Sequence, residues 1–217
     1  MNNLAVTDQD LQDMLDNGAQ HVAANYAVFR RSFTGATVYM SELGMTDIIM
    51  AYGQDWANQH QKNAVWTKTG NEKVTGSDFH VRRKTGVNTA NQNVFETVYF
   101  QAKIIKTNTT ANREYADFIW TSASDKFQNL LLQDYVAKEN AAGRPSRGYY
   151  ICYGPNGVTY VAVQKIGLFI DMRVNTHTTP NPTTDVAWNI GAYGGRVGGY
   201  GGLARNTMAA ATNMLVN

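Results

Sequence analysis

One segment constrains the fold more than any other. Residues Val94 to Lys106, "VFETVYFQAKIIK", read as a strand rich in β-branched and aromatic residues. A helical stretch follows, "SDKFQNLLLQDYVAKENAA", Ser124 to Ala142, and then a second strand, "RGYYICY". Two strands joined through a helix lie parallel, because the crossover returns the chain to the starting end of the sheet. A chain containing Val94 to Tyr153 is therefore committed to a mixed sheet with a helix on one face.

The flanking sequence adds elements. Thr7 is a suitable helix N-cap, and Asp10 three residues on resembles a capping box. Leu11, Met14, Leu15, Val22, Tyr26 and Phe29 then recur at helical spacing, which predicts a helix from about Asp8 to Arg31. Thr46 and Asp47 are expected to open a second helix, with Ile48, Ile49, Tyr52 and Trp56 on one stripe. Asp78 to Lys84 reads as a strand separated from Val94 by "TGVNTANQN", a loop of turn residues. Ser122 and Asp125 suggest a cap for the crossover helix, and "GRP" ends it. The tight-turn signal "GPNG" joins "RGYYICY" to "VTYVAVQK". Beyond lie an expected strand, "IGLFIDMRV", a glycine-rich stretch, "GAYGGRVGGYGG", and a small-residue helix near the C-terminus.

The 217 residues, 43% hydrophobic, suit a single domain, 1–217, with its core at about 40–175 and a glycine-rich extension over 176–217. The net charge of +2 points to no particular partner, although Arg30-Arg31 and Arg82-Arg83-Lys84 are basic clusters. Cys152 stands alone, which excludes an internal disulfide and a cysteine zinc site. No apolar run approaches the roughly 20 residues of a membrane span, and the first residues lack a signal-peptide pattern. The expectation is a cytoplasmic protein with no membrane partner.

Polar residues inside the strands carry the chemistry. Gln101 and Lys103 are two apart and share a face. If Asp78–Lys84 and Val94–Lys106 pair as a hairpin centred on their loop, Lys84 opposes Phe95 and Asp78 opposes Gln101. Asp78, Gln101 and Lys103 then converge. An acid and an amide oxygen suit Mg²⁺ or Mn²⁺, hard ions that take oxygen ligands. Such an ion activates water and offsets phosphate charge, and an adjacent ammonium can do part of the same work.

At these residues the chain resembles the PD-(D/E)xK nucleases, in the Q-x-K form found among Mrr-like restriction and defence nucleases. Asp78 matches the first acid, and Gln101-Ala102-Lys103 matches the triplet with Gln for the usual acid. The crossover helix and "GYYICY" fall in the family's order over roughly residues 40–155. The resemblance implies an α/β restriction-endonuclease-like fold, a mixed β-sheet flanked by helices. It implies metal-dependent endonuclease activity, first of all on DNA, in restriction, phage defence or toxin action. Asp78 and Gln101 would hold the ion, and Lys103 would serve the attacking water. Glu42, in "SELGMTDIIM", matches an acid that family members often place before the preceding helix, and Glu72, in "EKVTGSDF", is a possible further acid. Many such enzymes are homodimers.

Plainer readings stand beside these. Glu42 suits the start of a helix through the dipole alone. Glu72 suits a loop, and Gln128 a helix surface as well as the site. Arg82, Arg83 and Lys84 are either phosphate contacts or a solvated strand end. His21, His60, His80 and His177 lack metal-ligand spacing, although His80 shares the face of Asp78. The richness in Asn, Thr and Gly also fits a virion structural protein, and the neutral Gln101 fits a nuclease fold that binds nucleic acid without cutting it.

Overall fold

A computed structural model of the chain describes residues 4–29, 41–104, 106–108, 113–115, 128–154 and 157–163. The Ser122–Asp125 cap, the arginines at 30 and 31, the strand expected at 166–174, His177 and the glycine-rich C-terminal region lie outside them. Helix α1, Asp8–Phe29, is followed by α2, Glu42–Gln59, strand β1, Ala64–Lys68, and a single turn α3, Glu72–Thr75. Strands β2, Phe79–Val87, and β3, Asn93–Ile104, form the hairpin. A small ladder of β4, Lys106–Asn108, and β5, Arg113–Tyr115, precedes helix α4, Gln128–Ala141, and strands β6, Ser146–Gly154, and β7, Gly157–Ala162.

The main sheet is mixed and five-stranded, in the order β1-β2-β3-β6-β7. β3 and β6 are parallel, joined through α4, and the other neighbours are antiparallel. The α/β class and the parallel pair thus agree with the sequence reading. The hairpin register agrees as well, with Lys84 opposite Phe95 and Phe79 opposite Phe100. A bulge at Thr85 lets β2 run on to Val87.

One sheet face is the core. Phe79, Val81, Val98, Phe100, Ala102, Ile151 and Tyr153 pack with Leu11, Met14 and Leu15 of α1 and Met45 and Ile49 of α2. On the other face Gly148 of β6 lies beneath α4, where an added Cβ would meet Val136 at 3.1 Å and Leu132 at 3.4 Å. At the start of α1 the predicted capping box forms: Thr7 N–H donates to Asp10 Oδ2 at 2.8 Å, and Asp10 N–H donates to Thr7 Oγ1 at 3.1 Å. No helix among the described residues is long and apolar enough to cross a membrane.

Several elements depart from expectation, the small β4–β5 ladder among them. Helix α2 begins at Glu42 rather than at Thr46, because the Ser41 hydroxyl caps it by accepting from Gly44 N–H at 3.0 Å. β1 and α3 have no counterpart in the sequence reading. β1 is short, and α2 fixes it: Gly53 makes room for the Trp66 ring, and Gln54 bonds the strand's outer edge through Trp66 N–H at 3.1 Å and Ala64 O at 3.2 Å.

Arg83 also departs from expectation. It is 5% exposed and faces the core side, not solvent. It donates to Glu96 at 2.7 Å and to the Val6 carbonyl at 3.2 Å, and it pairs with Asp8. Arg147 joins the same two acids, at 2.6 Å to Asp8 and 2.8 Å to Glu96. Burial works against ionised Asp8, yet Arg147 and Arg83 hold its carboxyl below the usual range. This network ties α1 to β2, β3 and β6. Removing one acid strands buried guanidinium charge. Glu96→Gln should therefore cost about 3 kcal/mol in chemical denaturation. The loss should persist at high salt, because buried pairs are weakly screened.

Candidate active site

The site forms where β2 stops and β3 continues. Asp78 N–H still donates to Phe100 O at 2.8 Å, but N-terminal to it the chain turns aside through Gly76, at φ 68°. β3 extends to Ile104, and its edge amides beyond this point need acceptors. Two carboxylates supply them. Ala102 N–H donates to Asp78 Oδ2 at 2.6 Å, and Ile104 N–H donates to Glu42 Oε2 at 2.9 Å. Amides two residues apart on a strand are about 7 Å apart, so the two acids are held as neighbours on one strand edge.

Gln101 completes the centre. It is 1% exposed, and its Nε2 donates to Asp78 Oδ2 at 2.6 Å. Its Oε1 is buried without a hydrogen-bond partner, an expensive state for an acceptor. Lys103, half-buried, follows two residues later on the same strand face. Burial pushes the Asp78 carboxyl up to about 7, against the pull of the Ala102 amide. Glu72 and Glu42 push it further up, and the Lys103 ammonium draws it down. Of the sequence-predicted group, Asp78 and Gln101 are in contact, with Lys103, Glu42 and Glu72 in electrostatic reach.

A cavity of about 200 Å³ opens beside it, lined by Glu42, Leu43, Thr46, Lys68, Thr69, Glu72 and Asp78. Thr46 and Tyr153 fix its floor through a buried 3.0 Å hydroxyl pair. Lys68 pairs with Asp47 at 2.5 Å. Lys68 and Thr69 escape the sequence reading because they sit at the end of β1. The alternation in "AVWTK", with Ala64 and Trp66 inward, is the signal that marks that strand.

The donor set fits a hard divalent cation. Asp78, Glu42 and Glu72 offer carboxylate oxygens, and Gln101 Oε1 is an acceptor in need of a partner. Among the described residues no three His, Cys, Asp or Glu side chains stand close enough to hold an ion alone. An ion held here would therefore also need the amide oxygen and water as ligands. A half-turn of the Gln101 amide exchanges its nitrogen for its oxygen beside Asp78, and an ion shared by the two residues favours that exchange.

The other candidates are dispersed. Arg82 is exposed and lies 4.1 Å over the Phe95 ring. Lys84 is half-buried on the same strand face, and Arg83 is spent in the buried network. Gln128 opens α4, and its side chain lies outside the described residues. His80 leans on Tyr99 at 5.5 Å, and burial lowers its pKa. His21 and His60 stack on Tyr52 and Trp56.

The raised Asp78 carboxyl makes a stability prediction. The folded state holds this proton more tightly than the unfolded state, whose carboxyl titrates near the ordinary aspartate value of 3.8. Stability from this group is thus full below about pH 4 and is lost as pH rises towards 7. Asp78→Asn removes that penalty. In chelator at pH 8 the variant should be more stable than wild type by about 1–2 kcal/mol, discounted for partial exposure. The difference should vanish near pH 4. Added Mg²⁺ should stabilise wild type and leave the variant unmoved. Thermal melts across this pH range measure all three.

No protein-family model matches the chain, and no curated protein matches it in sequence.

Proposed function

We propose that this protein is a metal-dependent phosphodiesterase acting on nucleic acid, DNA first, with the restriction-endonuclease-like arrangement that its Q-x-K motif resembles. The observation that carries the reading is the contact of Asp78 with Gln101 at the parting of β2 and β3, with Lys103 in electrostatic reach and Glu42 on the next edge amide. The element order supports it, since a helix precedes the hairpin and a crossover helix leads to a parallel strand.

Asp78, Gln101 and Glu42 would hold the cation, Mg²⁺ or Mn²⁺, with Glu72 as a further acid on the cavity wall. When bound, the ion supplies Lewis-acid stabilisation of phosphate charge and a more acidic water. The chain's own residues have distinct tasks. The Ala102 and Ile104 amides fix two carboxylates at a set spacing, so little reorganisation is needed when substrate arrives. Lys103 orients the attacking water and offsets charge gathering on the phosphate.

A second reading has its own support. Gln101 is neutral, and the Asp78 and Glu42 carboxylates already serve as backbone acceptors. The same fold could bind nucleic acid without cutting it.

The deciding assay incubates the full chain with plasmid DNA and with RNA, in Mg²⁺, in Mn²⁺ and in chelator. Wild type should cleave only with metal. Asp78→Ala and Lys103→Ala should each lower the rate at least about 100-fold. Absence of metal-dependent cleavage on either substrate would reject hydrolysis and leave the binding reading.

A further inference from the structure

We infer that the face of β1 and β2 left exposed among the described residues, from Arg82 past Val65 and Thr67 towards Asp78, is the track on which a nucleic-acid backbone lies to reach the site. This rests on the phosphodiesterase reading and gives its substrate a path. Sheets with parallel strands and helices usually bury both faces. Here β1 and β2 bury only one. Ala64, Trp66, Phe79, Val81 and Arg83 are buried, while Val65, Thr67 and Arg82 between them are exposed. Helix α4 covers the rest of this face: it packs on β6, on β3 and on the α3 turn that precedes Asp78, reaching Tyr99 through the edge of Tyr135 at 5.3 Å.

The composition of this face selects a polyanion. Within β1, β2 and β3 the one acidic residue is Glu96, and it is turned to the opposite face against Arg83 and Arg147. Arg82 and Lys84 lie on the uncovered face. The Arg82 guanidinium stacks 4.1 Å over Phe95. Stacking holds the planar group through its face and leaves its edge N–H donors for a phosphate. Val65 sits beside Arg82 across the ladder, and Thr67 beside His80, which continues the face towards Asp78. Arg82 and Asp78 are four strand residues apart, about 13 Å. That distance is about four base pairs of rise along a duplex axis. Arg82 therefore grips the backbone a few nucleotides from the bond at the site. Val65 is 55% exposed, and contact with sugar and base surface gives that apolar patch a use.

The test measures binding by fluorescence anisotropy with the full chain, in EDTA and separately in Ca²⁺. The probes are a labelled 20-nucleotide single strand, its 20-base-pair duplex and the matching RNA. Arg82→Ala should weaken binding of the preferred probe about fivefold and flatten its salt dependence by about one counterion. Val65→Glu puts an anion on the track and should weaken binding at least about tenfold. Gln20→Glu, on the exposed side of α1 beyond the opposite face, should leave binding unchanged. Binding indifferent to Arg82→Ala and Val65→Glu, or no binding to any probe, overturns the inference. The cleavage assay fails independently. Track-dependent binding without metal-dependent cleavage removes hydrolysis and keeps the track. Cleavage with track-independent binding removes the track alone.

Discussion

Everything at the candidate site follows from an unpaired stretch of backbone. β3 outlasts β2, and the amides of Ala102 and Ile104 face a place where no strand remains. A buried amide without an acceptor costs more than an ordinary hydrogen bond returns. The chain answers with two carboxylates, Asp78 and Glu42, from segments far apart in sequence. Acids are thereby drawn into a half-buried corner where mutual repulsion and desolvation oppose their ionisation. The raised Asp78 carboxyl is the consequence. A divalent ion, a proton or the Lys103 ammonium each relieves the same accumulated charge. The corner is thus structurally necessary and chemically poised for one reason.

The most legible part of this arrangement was the hairpin. Turn residues between two strand patterns set a symmetric register, and that register carried Asp78 to Gln101 with no further information. The i, i+2 spacing of Gln101 and Lys103 fixed their common face. Other features had no local signal. Arg83 alternates with Phe79 and Val81, which hints that it points inward, but its partner Asp8 lies in another element. An arginine beside Arg82 and Lys84 reads as surface charge until that partner is known. β1 has five residues and depends on α2 for its place, so its own pattern is too short to declare it. The early start of α2 turned on one serine hydroxyl.

The division of labour between sheet faces is also instructive. The core face is largely hydrophobic, and its charged interruption among the described residues is the Asp8, Arg83, Glu96 and Arg147 network. That network fixes α1 on the sheet at the middle of β2, at Arg83. A charge cluster and a carboxylate corner thus occupy the middle and the beginning of one strand. The first is balanced within the fold, with two arginines and two acids. The second holds more acids than cations in its immediate surroundings, counting Asp78, Glu42, Glu72 and Asp47 against Lys103 and Lys68. Balanced charge suits a structural joint, and an acidic excess suits a place that receives a cation from outside.

Gln54 has an effect beyond fastening β1. Its amide engages Trp66 N–H and Ala64 O on the strand's outer side, mimicking one step of a ladder. An exposed strand margin otherwise recruits whatever extended chain it meets. With these two backbone groups already satisfied, a foreign strand would have to displace a side chain of the fold itself before it could dock. One glutamine thus guards part of this margin of the sheet, a barrier to edge-to-edge association supplied by a residue of α2 rather than by the strand itself.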